Sequence, residues 1–127
     1  METTHQDPKT FLPLTPAVFH ILLALSDQNR HGYGIMKEVE LRTEGRMLLK
    51  PGTLYQAIKR LLDAGLIEKA DEKTDAEIND ERRRYYSLSG AGKAVMSAEA
   101  ERLELLVQLA RSKHVLGESK AGFALGR

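Results

Sequence analysis

Hydrophobic positions along the chain fall first into a helical rhythm. Thr15-Pro16 supplies a capping hydroxyl followed by proline at the first helical position, a helix-start signal. Val18, Ile21, Leu22 and Leu25 then recur at i, i+3, i+4 and i+7, which makes one apolar face. Phe19 and Leu23 lie off that stripe, so this helix is expected to touch more than one neighbour. His31-Gly32-Tyr33-Gly34 reads as a turn into a second helix, roughly 33–44, with Ile35, Met36 and Val39 inward and Gly45 as its stop. A third helix is opened by Lys50-Pro51-Gly52-Thr53 and closed by Gly65, with Leu54, Ile58, Leu61 and Leu62 as its core stripe.

The rhythm then changes to alternation. Leu66 to Ala70 predicts a short strand, and Arg82 to Leu88 a second one with Arg84, Tyr86 and Leu88 on one face. The polar residues 71–81 between them read as the tip of a hairpin. Ser89 can cap a last long helix, about 90–115, in which Met96, Ala100, Leu103, Val107 and Ala110 follow a roughly seven-residue repeat. The organisation expected is an N-terminal arm (1–14), a DNA-binding-type domain (15–88), a C-terminal helix (89–116) and a flexible tail (117–127). The first ten residues of the arm are expected to be mobile, and its apolar end (Phe11, Leu12, Leu14) to dock on the body or on a partner. The fold class is mainly α with a small β-hairpin. Three helices followed by a hairpin outline a winged helix-turn-helix, and the long last helix is available for dimerisation.

Composition narrows the function classes. The 127 residues, 42% hydrophobic and 29% charged, suit one compact domain with one core. No apolar run approaches the ~20 residues of a membrane span, and no secretory signal is expected at the N-terminus. The chain has no cysteine, which removes disulfides, thiol catalysis and thiolate metal sites, and fits a cytoplasmic address. The four histidines (His5, His20, His31, His114) lack metal-ligand spacing, and no nucleophile–base–acid set is apparent. The expectation is a protein that is not an enzyme and needs no cofactor.

Charge distribution points elsewhere. The net charge is only +1, but residues 42–60 carry Arg42, Arg46, Lys50, Lys59 and Arg60 against Glu44 alone. Arg82, Arg83 and Arg84 form a second basic focus, and the acidic stretch 71–81 separates the two. On a helical wheel the third helix sets Thr53, Gln56, Lys59, Arg60 and Asp63 opposite its apolar side. Thr53 and Gln56 suit base edges, and Lys59 and Arg60 suit phosphate or guanine. Pro51-Gly52 exposes backbone N–H groups at the positive end of the helix dipole, where a phosphate can sit, and Gly52 permits close approach. Tyr55 falls at the margin, its ring able to pack inward while its hydroxyl reaches a phosphate. The alternative is a plain solvated face. For the wing arginines, pairing with Asp80, Glu81 or Asp71 competes with phosphate binding, and the acidic tip argues against deep groove insertion.

With these residues in view, a resemblance emerges. Pro51-Gly52-Thr53-Leu54-Tyr55, continuing through Ile58-Lys59-Arg60-Leu61 to Gly65-Leu66-Ile67, resembles the signature of the PadR family of transcriptional regulators. His31-Gly32-Tyr33-Gly34 and Arg84-Tyr85-Tyr86-Ser87-Leu88-Ser89, with Gly92, match the family in the same order. The similarity spans about residues 14–115, in the branch with a short, single C-terminal helix. It implies a dimeric repressor whose last helix crosses to the partner subunit, released from DNA in many members by a small molecule or other stress signal. The long acidic wing tip and the absence of tryptophan depart from the pattern.

A second copy of the chain is also the simplest cover for the last helix. Leaving Leu103, Leu106, Val107 and Ala110 in water would forgo ~1.5–3 kcal/mol for each large side chain. Docking of that helix on the first helix of the same chain is the alternative, and both can hold. Twofold symmetry would set two reader helices ~34–36 Å apart on a palindromic operator. An effector pocket between the first and last helices, near Phe19 and Leu106, is expected if a small molecule is sensed, against closed core packing of the same residues. A winged-helix module that binds protein instead of DNA is the competing function.

Overall fold

A computed structural model describes residues 7–70 and 84–117. Four α-helices, α1 (Pro16–Ala24), α2 (Gly32–Arg42), α3 (Pro51–Asp63) and α4 (Gly90–Ser112), enclose one core. They are joined by a three-stranded antiparallel sheet of β1 (Arg30–His31), β2 (Ile67–Ala70) and β3 (Tyr85–Leu88), in the order β1-β3-β2. The expected fold class is therefore found, with a third strand added.

Local chemistry explains where the helices start. Thr15, His31 and Ser89 each accept a hydrogen bond from the third residue of the helix that follows, at 3.1, 2.9 and 3.0 Å, closing the first turns of α1, α2 and α4. Their ends are equally specific. Gly65, at φ +77°, donates to the Leu62 carbonyl and Leu66 to that of Leu61, the paired bonds of a left-handed cap on α3. At the end of α2 the first left-handed position is taken by Glu44 (φ 54°), one residue before Gly45, which is also left-handed. His114 plays this part for α4 and ends it at Ser112, short of the 115 expected.

Three buried residues on α1, its C-cap Leu25, two residues on α2 and three on α3 meet in the core with Leu66, Ile67, Tyr86 and Val95. The stripe of α1 is as expected, except that Val18 is only half-buried and Ala24 joins it; Leu62 is likewise half-buried on α3. Two local expectations are corrected. His31, expected to open a turn, instead forms with Arg30 a strand paired with Tyr85 and Tyr86, and Arg30 Nε donates to the Ala24 carbonyl at 2.7 Å. The Arg30 guanidinium also faces Asp27 at 3.3 Å and Glu38 at 3.5 Å. Leu66 lies just outside β2, used up by the cap of α3. The apolar end of the arm docks on the body, as expected: Phe11, Leu12 and Leu14 pack against the core of their own chain, after a 3₁₀ turn over Pro8–Phe11. The expected wing tip (71–81), Arg82, Arg83, residues 1–6 and the tail from 118 lie outside the described residues.

Candidate nucleic-acid interface

The third helix has two chemically distinct sides. Leu54, Ile58 and Leu61 are buried, whereas Gly52, Thr53, Gln56, Lys59 and Arg60 are all exposed. The apolar stripe anchors the helix, and that burial turns the polar stripe outward as one surface. Lys59 Nζ lies 3.5 Å from Asp63 Oδ2, one turn along, with both side chains more than two-thirds exposed. Such a pair contributes about 0.3–0.5 kcal/mol, too little to hold Lys59 against a phosphate. Among the described residues, neither Lys50 nor Arg60 has an ion-pair partner.

The start of α3 differs from those of α1, α2 and α4. Its N-cap is Lys50, which makes no side-chain capping bond, and the first intrahelical bond runs from Leu54 N–H to the Lys50 carbonyl. The N–H groups of Gly52 and Thr53 therefore point out of the helix unclaimed by a cap. A Cβ built on Gly52 would meet nothing within 4 Å, and its φ is ordinary. Neither backbone conformation nor internal packing requires glycine at this position.

Tyr55 is half-buried, as its marginal position on the wheel suggests. Its ring lies on Gly32, where an added Cβ would stand 2.7 Å from Tyr55 Cζ and closer still to the hydroxyl. One glycine of the second helix and one tyrosine of the third are thus a fitted pair, which neither segment discloses alone. His31, beside Gly32, sets its ring edge-on to Tyr85 of β3 at 5.2 Å. The first turn of α2 is consequently the common neighbour of Tyr55 and of the strand that Arg84 precedes. Arg84 is half-buried at the start of that strand; Arg82 and Arg83 fall outside the described residues. Tyr33, 56% exposed on the same turn of α2, carries Lys37 Nζ 5.7 Å from its ring centre.

The junction of sheet and last helix is equally tight. Ser89 Oγ donates to the Gly65 carbonyl at 2.6 Å while accepting from Gly92 N–H, and Ser89 N–H donates to the Leu66 carbonyl at 3.1 Å. A Cβ on Gly92 would collide with that same Leu66 carbonyl oxygen and stand 2.8 Å from Leu88 Cδ1.

On α4 the residues buried against the body are Gly92, Val95 and Glu99. Of the residues expected at a dimer contact, Met96 packs partly on its own core and Leu103 and Ala110 are half-buried. Ala100, Leu106 and Val107 are exposed. Leu105 and Leu109, on another side of the helix, are exposed at 65% and 53%. Phe19, on α1, is half-buried. Among the described residues no group of three or more histidines and carboxylates is gathered as a metal would need, and no helix is long and apolar enough to cross a membrane.

Comparison with known proteins agrees with this geometry. Residues 21–98 match the model of the transcriptional regulator PadR-like family. An uncharacterized protein of Lysinibacillus sphaericus is 30% identical over 97 residues, covering 76% of this chain and 80% of that one. A transcriptional regulator from Clostridium thermocellum superposes with a TM-score of 0.62 at 26% identity, over 75% of this chain and 86% of that one. A PadR family transcription regulator from Clostridium difficile does so with a TM-score of 0.60 at 26% identity, over 75% and 94%.

Proposed function

This chain belongs to the PadR-like family of transcriptional regulators, and from that premise we propose that it is a cytoplasmic, homodimeric repressor that binds a palindromic operator in double-stranded DNA. One observation carries the reading: α3 turns a continuous polar and cationic stripe outward from an uncapped N-terminus. In this reading Gly52 and Thr53 N–H groups hold a phosphate at the helix start, where the dipole favours an anion and the missing side chain lets the backbone approach. Thr53 and Gln56 read base edges, while Lys50, Lys59 and Arg60 engage phosphate or guanine. The Tyr55 hydroxyl, which packs over Gly32, is proposed to reach a phosphate beside the same surface. Arg82, Arg83 and Arg84 supply backbone contacts from the wing.

Dimerisation is proposed through α4, with Met96, Ala100, Leu103, Leu106, Val107 and Ala110 at the contact. In its outer half Leu103, Leu105, Leu106, Val107, Leu109 and Ala110 spread over about 200° of the helix circumference, opposite a polar sector of Glu101, Glu104, Gln108 and Arg111. An apolar arc that wide exceeds the ~100° stripe that one contact needs, and most of it is uncovered in the single chain. A small-molecule effector would enter between α1 and α4, near Phe19 and Leu106, and act by changing how the two copies sit.

Binding of the purified protein to its selected duplex, measured across salt concentrations, tests the central reading. Affinity is expected to fall steeply and linearly on a log–log scale, with a slope set by the phosphates engaged. Binding that is absent, or indifferent to salt, overturns it.

A further inference from the structure

Glu99 is a charged residue in an apolar place. It is 2% exposed on α4, on the stripe it shares with Gly92 and Val95. Its Oε2 accepts the Leu14 N–H at 3.1 Å and Arg102 Nη2 at 3.0 Å, and its Oε1 accepts Arg102 Nε at 2.6 Å. Leu14 immediately precedes Thr15, the cap of α1. The carboxylate thus ties the entry to α1 directly to the middle of α4. It also satisfies a partly buried N–H that has no ladder or helix partner.

Position gives this contact its leverage. Glu99 is the last buried residue of α4. From there to Ser112 the helix runs on for about 20 Å at ~1.5 Å per residue, carrying the exposed Leu105, Leu106 and Leu109. A rotation of about 10° at Glu99 would move the far end by about 3 Å, close to the ~3.4 Å rise of one base pair. In a twofold dimer joined through those far ends, both domains swing and the displacement doubles.

We propose that Glu99, held by Arg102 and the Leu14 N–H, is a positioning latch that sets the angle at which α4 leaves the DNA-binding domain, and so the operator half-site spacing that the dimer accepts. This inference rests on the homodimeric DNA-binding reading above. The carboxylate is buried but its Arg102 partner is 36% exposed, and an ion pair open to solvent on one side is a poor source of net stability. Its particular merit is direction: the hydrogen bond from Leu14 N–H crosses from α4 to the entry of α1, and the two from Arg102, on α4 itself, fix the carboxylate that accepts it, whereas apolar side chains slide. The Arg102 guanidinium, hydrogen-bonded to Glu99, is the main influence holding that carboxyl below its ordinary range, so the latch is charged at neutral pH.

The test uses the whole protein and a duplex that it selects from a random pool. The centre of that duplex is lengthened or shortened by one or two base pairs, and affinities are measured by fluorescence anisotropy for the parent, Glu99→Gln and Glu99→Leu. The parent is expected to lose about tenfold or more for one base pair, in the range of a single mismatch. Glu99→Leu is expected to flatten the profile to within about threefold or to move its optimum, by the lever arithmetic above. Glu99→Gln, which keeps shape and loses charge, is expected to fall between them and decides the matter if the leucine variant does not fold. A folded, dimeric variant that keeps the parent's spacing profile overturns the latch. A parent that sediments as a monomer or binds no duplex overturns the underlying reading instead, and the latch with it.

Discussion

Lys59 and Arg60 stand in solvent on α3, so replacing them should change what the surface binds without touching what holds the helix. Lys59→Ala and Arg60→Ala are each expected to weaken operator binding and, where the contact is to phosphate, to lower the salt slope by about one. Circular dichroism should show unchanged melts. Gly52→Glu has open space around it and a helical φ, so it should fold, yet it sets a carboxylate where a phosphate is proposed; binding should be abolished. Gly92 behaves in the opposite way. Its Cβ would strike a backbone carbonyl that the cap of α3 and the bond from Ser89 hold in place, so Gly92→Ala should destabilise by about 1–3 kcal/mol in urea titration. Glu99 adds a pH dependence. Its folded pKa lies below the unfolded value of about 4.3, so its stabilising contribution is complete above that pH and lost as pH falls through the folded value. Urea midpoints measured from pH 7 to pH 3 should therefore drop more for the parent than for Glu99→Gln.

At the scale of elements, capping and close approach explain most of the boundaries. Ser89 joins three elements at once: it caps α4, bonds the carbonyl of the left-handed Gly65, and extends the β2–β3 pairing by one residue. Ser89→Ala is expected to cost about 0.5–2 kcal/mol from the lost cap, with more from the stranded Gly65 carbonyl. Thermal melts check this directly, and Ser89→Thr should recover part of the loss. Gly32 under Tyr55 shows the same logic between α2 and α3. The wheel of α3 is correct in both its buried and exposed sides. On α4 a regular repeat is visible from Met96 to Ala110, yet the face used against the body is that of Gly92, Val95 and Glu99. A glutamate does not register in a count of apolar positions.

For the whole molecule, the uncovered outer half of α4 is the feature that a single chain leaves unresolved. Leu106→Glu places a charge on the proposed contact, at a position 49% exposed in the monomer, so it should spare the fold. Sedimentation should then show a shift from dimer to monomer. Operator affinity should collapse toward that of one half-site, because the second reader helix no longer binds at high effective concentration. A dimer that survives this substitution would place the contact elsewhere.

The sequence alone determined the helix count, the caps at Thr15 and Ser89, the two-sided third helix and the family, because these depend on periodicity and on residues close in the chain. It also located the cationic stripe, since a helix with one apolar side has its polar side settled by geometry. Only the tertiary structure decided that Arg30-His31 is a strand, that Gly32 accommodates Tyr55, that Gly92 lies on the Leu66 carbonyl and that Glu99 holds Leu14. Each of these joins residues far apart in sequence through a fitted space or a single hydrogen bond. No local pattern encodes such a partner, because it exists only once the chain has folded.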